Sequence, residues 1–138
     1  VPINDLYVFA DKSQIIRVLN NIVKNAIQSI PKSRRGLIHI KLQYTEEHII
    51  ISVHDNGVGI DEHMRDKVFY PNFTTKSSGM GLGLAICSDI IQSFDGRIYF
   101  ETEKGVGTTF FIELPRHALK EDGHGVAYSG SPQPQKQY

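Results

Sequence analysis

Hydrophobic residues recur with helical spacing in two parts of the chain. In residues 12–30 they fall at every third or fourth position, behind Asp11 as a candidate N-cap, and Pro31 ends the pattern. A second helical pattern covers residues 82–94. Both patterns predict amphipathic helices that bury one face against the rest of the protein.

Four shorter segments alternate apolar and polar residues instead. Residues 38–44 and 49–53 flank a short polar turn and predict an antiparallel hairpin, and residues 97–102 and 108–114 predict two more strands around a second turn. A short helix is expected over residues 61–69, where acidic residues stand early. This order of elements predicts an α+β two-layer sandwich with the helices on one face of a sheet.

Length and composition fit one domain followed by a tail. The 138 residues are 40% hydrophobic, enough for one core, whereas residues 117–138 are rich in glycine, serine, proline and glutamine. We therefore expect a domain over residues 1–116 and a disordered or loosely ordered tail over residues 117–138. A small basic run (Lys32, Arg34 and Arg35) is expected to be a solvated loop, with contact to a partner domain as the alternative.

Charge, cysteine usage and hydropathy exclude several classes of function. Fifteen basic residues balance fifteen acidic ones, which does not favour binding of nucleic acid. Cys87 is the single cysteine, so no internal disulfide is possible, and its apolar surroundings predict a buried thiol. No apolar run reaches the roughly 18 residues that span a membrane, and the first residues do not resemble a signal peptide. We expect a cytoplasmic chain, or the cytoplasmic part of a larger one, without membrane contact of its own.

Three glycines at alternate positions, Gly79, Gly81 and Gly83, stand where the second predicted helix begins. Glycine lets a backbone approach a ligand closely, and the free N–H groups at a helix start bind anions. The stretch predicts a phosphate cradle, with a glycine-rich loop of purely structural use as the alternative. It matches neither the P-loop nor the dinucleotide-binding fingerprint.

Two further features point to a nucleotide. DNGVGI at residues 55–60 follows a predicted strand, and a carboxylate there would accept a hydrogen bond from an amino group such as that of adenine. Its alternative is a simple turn, because Asn-Gly is a strong turn dipeptide. Asn21 and Asn25 share one face of the first helix, and amide oxygens suit Mg²⁺. A chance pair on a surface helix is the alternative for these two residues.

Together these segments resemble the catalytic, ATP-binding domain of bacterial sensor histidine kinases. The likeness covers residues 3–115, with the nitrogen-regulation subgroup as the most similar one. It implies the Bergerat fold, a two-layer α+β sandwich with a mixed sheet, shared with gyrase, MutL and anti-sigma-factor kinases. The segments that carry it are NNIVKNA (residues 20–26, N box), DNGVGI (55–60, first glycine box), VFYPNFTTK (68–76, F box), GMGLGLAI (79–86, second glycine box) and the closing GVGTTFFIELP (105–115).

The resemblance implies a role for individual residues. Asn25 would hold Mg²⁺ through its side-chain oxygen, with Asn21 beside it near the phosphates and Lys76 as a cation facing them, and these three are the candidate catalytic residues. Asp55 would bind the adenine amino group, with Thr108 helping through a water molecule. The other nucleotide-binding candidates lie in the glycine boxes and in a short ATP lid between them: Gly57, Gly59, Ile60, Phe73, Thr74, Thr75, Gly79, Gly81, Leu82, Gly83 and Leu84.

The implied function is that of the ATP-binding catalytic domain of a two-component kinase. It would donate the γ-phosphate of ATP to a histidine on a separate dimerisation and phosphoacceptor domain of the same full-length protein, for relay to a response regulator receiver domain. None of the six histidines present begins an acceptor motif. The chain alone is therefore expected to be monomeric and unable to autophosphorylate, and the full-length protein is expected to be a homodimer, either soluble or anchored in the inner membrane.

Two positions depart from related patterns. Asn21 stands where hydrolysing members of the superfamily carry a glutamate, and an amide cannot take a proton from water, so slow hydrolysis is expected and an ATP hydrolase is disfavoured. Gln28 stands where many histidine kinases have a lysine near the phosphates, and Lys76, or else Lys24, is expected to substitute. An anti-sigma-factor-type serine kinase and a non-catalytic nucleotide-binding module of the same fold remain as alternatives.

Overall fold

The order of helices and strands in the computed structural model follows the hydrophobic pattern of the sequence. The structure describes residues 6–71 and 81–117, together with two short strands further along the chain. In that part of the chain the elements are α1 (Lys12–Ser29), β1 (Ile38–Tyr44), β2 (His48–Asp55), a 3₁₀ helix (Glu62–Lys67), α2 (Gly81–Ser93), β3 (Arg97–Glu103), β4 (Gly107–Pro115), β5 (Leu119–Lys120) and β6 (Ala127–Tyr128).

The main sheet has four strands in the order β1-β2-β4-β3. Ile40 lies opposite Val53, and Val53 lies opposite Phe110, so these side chains share one face. The predicted α+β two-layer sandwich is confirmed. The mixed sheet is corrected, because every pairing in the described ranges is antiparallel. Short turns join β1 to β2 and β3 to β4, and such turns connect antiparallel strands only.

Helix α1 begins and ends where its sequence predicts. The Asp11 carboxylate accepts a hydrogen bond from the backbone N–H of Ser13 at 3.0 Å and so caps the helix, an interaction worth about 1 kcal/mol. The helix ends before Ile30 and Pro31. Its buried side follows the helical period and packs on α2 and β2.

The core lies between the two helices and one face of the sheet. Cys87, on α2, is fully buried, as its apolar surroundings predict. Burial raises the pKa of its thiol to about 11. The buried apolar residues of this core are Val18, Ile22, Ala26, Val53, Val68, Leu84, Cys87, Ile90, Ile91, Ile98, Phe110, Ile112 and Leu114.

Two short elements differ from the sequence analysis. The helix expected over residues 61–69 is a 3₁₀ helix. Strands β5 and β6 pair with each other inside residues 117–138, a pairing that the sequence did not predict. The domain boundary at residue 116 and the loose character of the tail stay predictions. Among the described helices, none is both long and apolar enough to cross a membrane.

Candidate functional site

The carboxylate of Asp55 stands at the end of β2, almost completely buried. Only 2% of the residue is exposed. Its Oδ1 accepts a hydrogen bond from the Gly57 N–H at 2.8 Å. The Ser29 hydroxyl lies 3.2 Å from the same oxygen and shares its single hydrogen with the Ala26 carbonyl at 2.8 Å. Within residues 6–71 and 81–117, no donor bonds to Oδ2. A buried carboxylate needs hydrogen-bond donors, so this oxygen suits a donor group of a ligand.

The glycines after Asp55 allow two close backbone contacts. A Cβ on Gly57 would lie 2.7 Å from the Ser29 carbonyl oxygen. At Gly59 the backbone has a φ of +77°, and a Cβ would lie 2.8 Å from Lys104 Cα. The sequence analysis expected these glycines to make room for a base, which stays a prediction. The structure adds a second reason, which is the packing of this turn against α1 and the β3–β4 turn.

Two threonines support the far end of the same turn. Thr108 is buried directly opposite Asp55 in the β2–β4 pairing, as a residue of the candidate site should be. Its hydroxyl lies 2.8 Å from that of Thr102, which in turn accepts the backbone N–H of Ile60 at 2.9 Å. Sequence reasoning missed Thr102, although its place opposite Thr108 in a predicted hairpin was a usable signal.

The loop between α1 and β1 forms hydrogen bonds with the turn that follows Asp55. One terminal nitrogen of Arg34 donates to the carbonyls of Asn56 at 2.6 Å and Gly57 at 3.0 Å. The Asn56 amide donates to the Arg35 carbonyl and accepts the Leu37 N–H, both at 2.8 Å. The expectation that the basic run is a solvated loop is therefore wrong for Arg34. Its charge is better matched by two carbonyl oxygens than by water alone.

A polar stripe on α1, which we define as Asn21, Asn25 and Ser29, leads away from Asp55. The three residues are four positions apart, so they share one side of the helix. At 1.5 Å of rise per residue, Asn25 lies about 6 Å and Asn21 about 12 Å along the axis from Ser29. The side chain of Asn25 forms no hydrogen bond within the described part of the chain. The Cys87 thiol on α2 donates to the Val18 carbonyl at 3.9 Å. Burial raises the pKa of this thiol, and the nearby Asn21 lowers it by a smaller amount.

An open groove of about 500 Å³ lies between the N-terminal halves of the two helices. It brings Asn21 of the predicted N box together with Gly83 of the predicted second glycine box. Its other lining residues are Ser13, Ile16, Arg17, Asn20 and Ile86. The structure thus joins two of the sequence motifs that are far apart along the chain.

The remaining predicted site residues are described in part or not at all. Helix α2 covers Gly81–Ser93, so Gly81 and Gly83 lie inside its first turn rather than before the helix, with Leu82 between them. Leu84 is buried in the core, so a role with nucleotide would fall to its backbone. Five predicted residues lie outside the described residues: Phe73, Thr74, Thr75, Lys76 and Gly79.

Comparison with known proteins finds the same family at the level of sequence. The model of the family described as histidine kinase-, DNA gyrase B-, and HSP90-like ATPase matches residues 10–118. The signal transduction histidine-protein kinase AtoS of Escherichia coli (strain K12) is 45% identical over 115 residues, 83% of this chain and 18% of that protein. Sporulation kinase C of Bacillus subtilis (strain 168) is 38% identical over 112 residues, 81% of this chain and 25% of that protein.

Solved structures show the same fold. The catalytic domain of histidine kinase ThkA, in a nucleotide-free form, is 36% identical with a TM-score of 0.69, covering 79% of this chain and 71% of that one. The mycobacterial sensor histidine kinase MprB is 27% identical with a TM-score of 0.72, covering 83% of this chain and 80% of that one.

The chain spans only about a fifth to a quarter of the length of these two curated relatives. It covers most of the solved ThkA catalytic domain, however, at an identity that shows common descent. The chain belongs to the family of histidine kinase-, DNA gyrase B- and HSP90-like ATPases, and within it to the catalytic domains of histidine kinases.

Proposed function

We propose that this chain is the ATP-binding catalytic domain of a two-component sensor histidine kinase. It passes the γ-phosphate of ATP to a histidine on a separate domain of the same full-length protein, for relay to a response regulator. The observation that carries the proposal is the buried Asp55 carboxylate, with one oxygen held by the protein and the other without a donor among the described residues. Family membership supports the same function.

Asp55 and its neighbours form the base end of the proposed site. The amino group of adenine donates to Asp55 Oδ2, since Oδ1 already has two donors. Thr108, buried opposite Asp55, assists through a water molecule. The backbone of residues 57–60 and the side chain of Ile60 line the base pocket, and Ile60 also packs against the core.

The polar stripe forms the phosphate end. Asn25 is half-buried and its amide has no described protein partner, so its oxygen fits Mg²⁺ bound with the phosphates. When bound, Mg²⁺ supplies neutralisation of the charge on the β- and γ-phosphate oxygens. Asn21, Gly83 and the backbone N–H groups at the start of α2 lie where those phosphates are to be held. Lys76, from outside the described residues, is the candidate cation of the lid.

Transfer to a histidine is favoured over hydrolysis by the chemistry of Asn21. Phosphoryl transfer needs mainly positioning and charge neutralisation, which this set of residues offers. Hydrolysis would also need a group that orients and deprotonates water, and an asparagine amide cannot accept that proton. Release of free phosphate should therefore stay near the rate without enzyme, and rapid release would favour a hydrolase instead.

The acceptor histidine, the receiver domain and the dimer belong to the parent protein in this proposal. The domain itself comprises residues 1–116, and the tail comprises residues 117–138. A main sheet that ends at Pro115 supports this division. It works in the cytoplasm, whether the parent is soluble or anchored in the inner membrane. The chain alone should be monomeric, and light scattering that shows a stable dimer would contradict this part.

Calorimetry with ADP and a non-hydrolysable ATP analogue, each with and without Mg²⁺, tests the nucleotide site. We expect micromolar binding, about −8 kcal/mol, which Asp55→Asn abolishes because the amide presents an N–H where the adenine amino group must donate. Asp89→Asn, at an exposed position on α2, is the matched control and should bind normally. Wild-type protein that binds neither nucleotide would contradict the proposal.

A further inference from the structure

Arg34 makes the closest contact between the α1–β1 loop and the turn that follows Asp55. Both hydrogen bonds come from one nitrogen, so its two hydrogens reach two consecutive carbonyls, those of Asn56 and Gly57. In an extended strand, consecutive carbonyls point to opposite sides. The Arg34 cation therefore holds together two carbonyl dipoles that would otherwise repel each other.

The orientation of the Gly57 peptide matters for the candidate site. The N–H of Gly57 donates to Asp55 Oδ1, while its C=O accepts from Arg34. Fixing the carbonyls on each side of Gly57 N–H fixes the direction of that donor. Because this donor and Ser29 hold Oδ1, they also decide where Oδ2 points.

Arg34 is itself held in place for this task. Its backbone N–H donates to the Pro31 carbonyl at 3.1 Å, which forms a turn directly after α1. The neighbouring Asn56 side chain bonds to Arg35 and Leu37 of the same loop. Arg34→Met would remove both donors while keeping most of the apolar stem of the side chain.

We propose that Arg34 is a positioning residue for adenine recognition: it fixes the Asn56–Gly57 carbonyls so that Asp55 presents its free oxygen to the amino group of the base. The inference rests on the proposed function, since it assumes that Asp55 reads adenine. It assigns a role to a loop residue that touches neither the base nor the phosphates.

Selectivity between ADP and IDP tests this role. IDP carries a carbonyl oxygen where adenine has its amino group, so this position accepts hydrogen bonds and cannot donate one to Asp55. Wild-type protein should prefer ADP, and Arg34→Ala should reduce the ratio of the two affinities by roughly tenfold, mainly by weakening ADP. Arg35→Ala is the matched control, because its exposed side chain forms no hydrogen bond or ion pair with any residue that the structure describes.

A general loss of stability would weaken both nucleotides alike and leave their ratio unchanged. An unchanged ratio in folded Arg34→Ala overturns the inference but leaves the proposed function intact. Wild-type protein that does not discriminate ADP from IDP overturns base reading by Asp55, and the inference with it. Should Arg34→Ala not fold at 25 °C, Arg34→Met takes its place, because it removes both donors and keeps the apolar stem. A reduced ratio supports the role of Arg34, and a wild-type ratio overturns it.

Discussion

The turn at residues 55–60 and the polar stripe of α1 form the two ends of the candidate site. They differ in how many of their hydrogen-bonding groups have partners within the protein. Protein partners bond to both oxygen and nitrogen of Asn56, Gly57 and Val58 in the backbone. Asn25 in the stripe has no described partner. A preorganised turn suits a rigid, uncharged base. A side-chain amide without a protein partner, such as that of Asn25, suits a metal ion bound with phosphates.

This comparison predicts that substitutions in the turn cost stability and that substitution of Asn25 in the stripe costs binding alone. Gly57→Ala should have the largest effect, since its Cβ would lie within 2.8 Å of Ser29 backbone atoms that cannot swing away. We expect a loss of about 3 kcal/mol in the free energy of unfolding. Urea denaturation at 25 °C measures this loss.

Gly36→Ala is the control for that substitution. Its Cβ would meet only the tip of the Ile30 side chain, at 3.4 Å. The free energy of unfolding should change by less than about 0.5 kcal/mol. Equal losses in the two variants would show that the turn tolerates displacement and is not preorganised.

Asn25→Ala should separate binding from stability. Alanine is the better helix former, so the free energy of unfolding should stay equal or rise by about 0.5 kcal/mol. Affinity for the Mg²⁺–ATP analogue should fall by roughly tenfold or more, as expected for the loss of a charge-assisted contact. Gln14→Ala is the control: this residue also carries an amide on α1 but lies outside the groove, so the affinity should stay unchanged. Unchanged Mg²⁺ dependence in Asn25→Ala would remove this residue from the proposed metal site.

The buried thiol of Cys87, in the core near Asn21, predicts a pH effect on stability. Its pKa is raised from 9.0 to about 11 by burial, so the folded state keeps the proton while the unfolded state loses it. Stability from this group is present below pH 9 and is lost as pH rises toward 11, by about 1.4 kcal/mol per pH unit. Urea titrations at pH 8 and pH 10 on wild type and Cys87→Ala measure it, and an equal decline in both proteins would contradict it.

Ser29→Ala should give the smallest effect. The substitution removes one of two donors to Asp55 Oδ1 and leaves the Gly57 N–H in place. We expect about 1 kcal/mol of lost stability and a few-fold weaker ADP binding. Calorimetry and urea denaturation on the same variant measure both quantities. Weaker ADP binding without any loss of stability would contradict a structural role of the Ser29 hydroxyl.

Burial was harder to predict than secondary structure. Strands β1 and β2 alternate in a similar way, and Ile40 lies directly opposite Val53. Yet Ile40 is 55% exposed and Val53 is fully buried. The reason is position in the sheet: β2 lies between two strands under the helices, whereas β1 is an edge strand in the described sheet.

The sequence by itself determined what depends on neighbours along the chain. Helical and alternating periods gave the elements, Asp11 gave the start of α1, and the spacing of the motifs gave the family. The candidate residues Asp55 and Asn25 also follow from the sequence, because each occupies a fixed position within its motif.

Only the tertiary structure decided what depends on residues that are distant in sequence. From the sequence, Arg34 is predicted to be a solvated cation. In the fold it donates hydrogen bonds to the Asn56 and Gly57 carbonyls, which lie more than twenty residues further along the chain. Thr102 and Ser29 gain their roles in the same way, through the β3–β4 pairing and the end of α1. Local pattern carries the period of an element, but hydrogen bonds between elements depend on directions that only the packed fold sets.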